Sequence, residues 1–193
     1  MSYGVMPYAV DLEGIRRLGS YDAEFADETL ARMSAYALRK LDVSEDFDIE
    51  IGPKELLRQL LCGEPAREGI GFAYGYALEA FCATYGDILT NRGWSGMRYG
   101  YFEVVESALS ELGVSFDPAS LTYGGVPGPM PRIDDFPCIG SLDVDEIDTL
   151  AGIFDAVDLG RLTDVGIRES VGEIGDWLRY CRQRRVGLVC FYY

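Results

Sequence analysis

The 193 residues carry 32 Asp and Glu against 17 Lys and Arg, a formal net charge of −15, and no histidine. That composition excludes every His-dependent triad, every His-ligated metal or haem site and any imidazole proton shuttle. So acidic a chain also lacks the clustered positive charge that replaces counterions on nucleic acid.

In chain order, the opening YGVMPYAV is rich in strand formers, and Asp11 is placed to cap a short apolar-periodic turn through Ile15 and Leu18. Between Asp22 and Asp42, Leu30, Met33, Ala37 and Leu41 recur at three and four, which predicts one helix. Phe47–Ile51 alternates over a short span, as a strand or an extended lead-in. Pro53 suits a first helical position, Leu56, Leu57, Leu60 and Leu61 follow, and Gly63 is a natural stop. A charged loop over 64–70 precedes a helix from Phe72 to Tyr85. Residues 86–97 read as a turn-rich connection, and Phe102, Val105, Leu109 and Leu112 form a helical stripe ended by Gly113. Leu121–Tyr123 is a candidate strand. The run from Gly124 to Pro137, with Pro127, Pro129, Pro131 and Pro137, cannot be a regular element and has the length of a binding loop.

Asp143 and Glu146 have the spacing of a capping box ahead of Ile147, Leu150, Ile153 and Phe154. The cleanest amphipathic helix carries Ile167, Val171, Ile174, Leu178 and Cys181, with Arg179, Arg182, Arg184 and Arg185 toward the negative end of its dipole. The closing VGLVCFYY is apolar on both faces, as an interior strand requires. The expectation is α+β: a helix-rich single domain over residues 1–193, packed on a small sheet that includes the N- and C-terminal strands.

Candidate chemistry is sparse. Gly69-x-Gly71-x-x-x-Gly75 lacks the feeder strand of a dinucleotide loop, so its glycines read as close-packing positions. Asp134, Asp135, Asp143, Asp145, Glu146 and Asp148 do not form a calcium loop, and no metal or cofactor is expected. The serine of Gly93-Trp94-Ser95-Gly96 lies outside a nucleophile elbow. None of the five cysteines forms CxxC, and four of them sit in apolar elements as small hydrophobes.

Tyrosine is the least ordinary feature, at 13 residues, with YGY triplets at Tyr74–Tyr76 and Tyr99–Tyr101. Tyrosine joins large contact area to a polar tip, so exposed clusters favour recognition. A ligand or partner site is therefore placed at Tyr74, Tyr76, Arg98, Tyr99, Tyr101 and Arg132, where arginine among aromatics suits an anion or a partner's carboxylate. The competing reading is that these rings line the core.

The stretches MSYGVMPYAVDLEGIRRLGS and GEIGDWLRYCRQRRVGLVCFYY resemble an uncharacterised bacterial, largely actinobacterial, family of unknown function. A fainter similarity runs to the YfbM-like proteins. Their "LDKAWHALHFLLTG"-like stretch aligns with FDIEIGPKELLRQLLCGE, and their "YLTPEEV" step is similar to CIGSLDVDEIDTLAGIFDAVD. The Trp and His of the middle motif are missing here, so no role of theirs transfers. The resemblance implies an α+β fold and one intact domain, and no activity.

Function is accordingly expected to be non-enzymatic binding in the cytoplasm, since no signal peptide and no membrane-spanning apolar run are evident. One version is an inhibitor or immunity-type protein docking a basic protein partner, with no nucleic acid and no membrane involved. The alternative is a small-molecule enzyme, a hydrolase or transferase using Tyr, Arg and carboxylates. A third role is assembly as a homo-oligomer.

Overall fold

A computed structural model describes residues 3–42, 49–126 and 128–193. Along the chain lie β1 (Tyr3–Val10), α1 (Leu12–Arg16), α2 (Ala23–Arg32), α3 (Ala35–Leu41), α4 (Pro53–Cys62) and α5 (Gly71–Tyr85). Next come β2 (Asp87–Ile88), a 3₁₀ turn at Arg92–Trp94, β3 (Ser95–Met97), α6 (Tyr101–Glu111) and α7 (Ser120–Tyr123). The chain closes with β4 (Cys138–Leu142), α8 (Val144–Asp155), a second 3₁₀ turn at Leu159–Arg161, α9 (Val165–Arg184) and β5 (Gly187–Tyr192). The class is α+β, as the sequence predicts, and the sheet uses both terminal strands. Two compact units are distinguished: Met1–Val10, Ile88–Gly125 and Ile139–Tyr193 form the first, Asp11–Asp87 and Val126–Cys138 the second.

The first unit is built on the sheet, ordered β2-β1-β5-β4 with β3 also on β1. β1 and β5 run antiparallel from Val5 opposite Tyr192 to Val10 opposite Gly187. Leu188, Val189, Cys190 and Phe191 are all buried, which a strand achieves only when both of its faces are covered. Trp94, Trp177, Val105, Leu109, Ile174 and Leu178 belong to the hydrophobic cluster of this unit. The edge at β4 is not left open. The Gly125 N–H donates to the Ile139 carbonyl at 3.0 Å. The backbone of Gly140 also lies so close to α7 that a Cβ there would come within 2.5 Å of the Leu121 carbonyl oxygen.

In the second unit α3 packs on α5 and α2 on α4. Asp11, Asp22 and Ser34 each cap a helix by accepting a backbone N–H. Pro53 opens α4, and Gly63, at φ 68°, ends it in the left-handed conformation. Residues 128–137 cross this unit as an irregular strap. A Cβ on Gly71 would collide with the Arg132 carbonyl oxygen, and one on Gly75 would come within 2.7 Å of the Pro137 ring. The glycine spacing at 71 and 75 therefore serves close backbone approach.

Local expectations differ from the structure at three places. The helix expected from Asp22 to Asp42 is two, because Met33 is extended (φ −62°, ψ 135°) and the Ser34 hydroxyl caps the second. Leu121–Tyr123 is helical, where three apolar-flanked residues carry no period to decide between states. The connection over 86–97 holds β2, a 3₁₀ turn and β3. Of the alternating run, Phe47 and Asp48 lie outside the described residues, and residues 49–52 form no strand, which leaves the lead-in reading for them.

Candidate functional site

Tyr74, Tyr76 and Arg132 fall in the second unit; Arg98, Tyr99 and Tyr101 fall in the first. Within the second unit, Tyr74 is fully buried on α5. Its hydroxyl donates to Gln59 Oε1 and accepts the Arg67 N–H at 2.8 Å, and burial pushes its pKa up. It is a satisfied core tyrosine. Tyr76, two residues on, faces a different environment. Its ring sits edge-on to Phe72, and Lys40 Nζ lies 5.8 Å from its centroid. Lys40 is also 5.7 Å from the Tyr36 centroid and 3.1 Å from Oε2 of the fully buried Glu79, whose other oxygen accepts the Tyr36 hydroxyl at 3.4 Å. A buried carboxylate requires such a counter-charge, and the two rings add cation–π attraction. Arg132 lies on the strap, exposed, in an ion pair with Asp134 at 2.6 Å.

In the first unit, Tyr101 opens α6 and its hydroxyl is 2.6 Å from Ser170 Oγ, with its ring edge-on to Trp94. Ser170 also donates to the Gly93 carbonyl at 2.9 Å, so it is held as a hub rather than as a free nucleophile. The Trp94 indole N–H donates to the Ser170 carbonyl at 3.0 Å, and that of Trp177 to the Thr90 carbonyl at 2.6 Å. Glu173 accepts the N–H groups of Arg92 (2.8 Å) and Gly93 (3.0 Å), which caps the 3₁₀ turn from the side of α9. Burial nonetheless pushes its carboxyl above the ordinary range. Arg98 and Tyr99 are both exposed, Tyr99 at 99%.

Nucleophilic thiol chemistry is disfavoured where the cysteines are deeply buried. Desolvation raises the pKa of Cys82 and Cys190 and pushes that of Cys181 to about 12. Among the described residues, no group of three or more Cys, Asp and Glu side chains has an arrangement that holds a metal ion. No helix there is long and apolar enough to cross a membrane.

A cleft of about 430 Å³ opens in the first unit between α6 and the start of α9. Its walls are Glu103, Val104 and Glu111 from α6, Ile167 from α9 and Asp164 just ahead of it, with Arg161 beside them. Arg161 donates to the Glu111 carbonyl at 2.8 Å, and Asp164 accepts the Ile167 N–H at 3.0 Å as the α9 cap. The site thus pairs three carboxylates with an apolar floor.

A family model described as a domain of unknown function, DUF7691, matches residues 1–193. The chain belongs to that family. No curated protein and no solved structure matches this DUF7691 chain. Its family description names no activity, so function rests on the chemistry of the surface. The cleft escapes a sequence reading because its residues lie off the core stripe of α6. The available signal is phase: Val104 stands out of step with Phe102, Val105, Leu109 and Leu112, an apolar residue the core has no use for.

Proposed function

We propose that the chain is a non-enzymatic, cytoplasmic bacterial binding protein that docks a basic protein partner, in the manner of an inhibitor or immunity-type protein. The bacterial setting and the kinship to YfbM-like proteins belong to the same reading; the first rests on the terminal stretches of the sequence, the second on FDIEIGPKELLRQLLCGE and CIGSLDVDEIDTLAGIFDAVD. One observation carries the functional part. More than half of the Lys and Arg side chains are already engaged by carboxylates of the same chain, among them Lys40 with Glu79, Lys54 with Asp27, Arg67 with Glu55, and Arg179 and Arg182 with Asp155. In the arginine cluster at 179–185, Arg179, Arg182 and Arg185 are paired with carboxylates and Arg184 lies over the Tyr180 ring, and the uncompensated charge of −15 is negative surface. Such a field accelerates encounter with a basic partner and repels nucleic acid.

The test is capture from native bacterial lysate on the immobilised full chain at low salt, followed by binding with the purified captured protein. The expected result is a basic protein whose association rate falls as ionic strength rises. Capture of only neutral or acidic proteins, or binding indifferent to salt, overturns the proposal.

A further inference from the structure

The cleft between α6 and α9 supplies what a general negative surface lacks, a place with shape. Its carboxylates Glu103, Glu111 and Asp164 stand around Val104, Ala108 and Leu162. Val104, a lining residue, is left in water at 45% exposure, and Val165, 70% exposed, follows the lining residue Asp164 in the chain. A cleft that sets apolar surface among carboxylates fits an occupant that brings both apolar and cationic groups. Glu111 also stands at the negative end of the α6 dipole, which favours a cation there.

We propose that this cleft is the docking groove for an amphipathic segment of the partner that sets a Lys or Arg beside an apolar anchor. The inference rests on the binding reading above and names its site. Charge complementarity selects the occupant. A phosphate-bearing ligand meets three carboxylates, and the one arginine of the wall is already bonded to the Glu111 carbonyl. A second copy of this chain brings another −15 against the same field. A helix or extended segment with one charged and one apolar face satisfies both halves of the groove.

The probe is a fluorescein-labelled amphipathic Lys/Leu peptide, compared by anisotropy with an all-Lys peptide of equal charge. The full chain is expected to bind the Lys/Leu peptide more tightly than the all-Lys peptide. Glu103→Lys with Glu111→Lys is expected to weaken that binding about tenfold or more. Glu24→Lys with Glu28→Lys, which changes net charge equally on exposed positions of α2, is expected to weaken it only about threefold or less. Val104→Ser, which removes apolar surface and no charge, is expected to erase the preference for the Lys/Leu peptide. Equal weakening by both charge pairs, or no preference between the peptides, overturns the groove while leaving the acidic-surface reading intact. That reading fails separately, if the captured partner is not basic.

Discussion

At the scale of single residues, the first unit concentrates its polar bonds on two positions of α9, Ser170 and Glu173. Between them they bind the Tyr101 hydroxyl, the Gly93 carbonyl and the N–H groups of Arg92 and Gly93, so a segment with little regular structure gains fixed partners. Gly93 allows the approach, since a Cβ there would lie 2.5 Å from Ser170 Oγ and 2.9 Å from its backbone nitrogen. Glu173 gives a pH signature. Its folded carboxyl titrates above the ordinary 4.5 because of burial, with Glu169 and Asp176 adding repulsion and the two N–H groups opposing. The native state therefore holds this proton where the unfolded chain has released it. The stabilisation is complete below the ordinary value and lost as pH rises through the folded one. Glu173→Gln removes that titration, so thermal melts across this range should show a smaller fall in stability with rising pH than the parent chain. Parallel profiles would show that Glu173 makes no such contribution. The role of Ser170 was not legible in the sequence: a serine inside an amphipathic stripe has the same pattern whether it faces water or three partners.

Among the elements, helix ends and the two-sided terminal strand were legible because each is set by nearest neighbours. The Asp143 carboxylate accepts the Asp145 and Glu146 N–H groups, and Glu146 accepts the Asp143 N–H at 2.8 Å, completing the capping box its spacing predicts. The break at Ser34 is not legible because the apolar period runs through it unchanged, while the hydroxyl offers the backbone a better partner. The strap over α5 shows a further limit, as proline content marks it irregular without revealing what it touches. A glycine pair turns that contact into a measurement. Gly152, exposed in α8 with open space around it, should gain about 0.5–1 kcal/mol on change to Ala from helix propensity alone. Gly71→Ala, at the start of α5, meets the Arg132 carbonyl and should instead lose about 1–3 kcal/mol by overpacking. Denaturant midpoints of the two variants should move in opposite directions. A stabilised Gly71→Ala would mean the strap yields freely.

For the whole molecule, charge is the property that outlasts folding. Internal ion pairs use cations and anions equally, so the excess of carboxylates must repel itself in the folded state. Melting temperature is accordingly expected to rise from low to moderate salt with a neutral salt such as NaCl. A melting temperature that falls over that range would show that attractive pairs dominate. The six residues expected to form one site are divided between the units. Tyr74 and Tyr101 are structural in their own unit, a division that a residue count of tyrosine cannot foresee. The pairing of β1 with β5 has a consequence for how the chain is made. The Gly4 N–H donates to the Tyr193 carbonyl at 2.8 Å, and β5 lies between β1 and β4. On the ribosome, β1 is made before the strand it needs on one side, and all the helices described between them are synthesised in the interval. The first unit thus stays without its middle strand until Gly187–Tyr192 has been made, and loss of those residues removes the centre of a sheet rather than an edge.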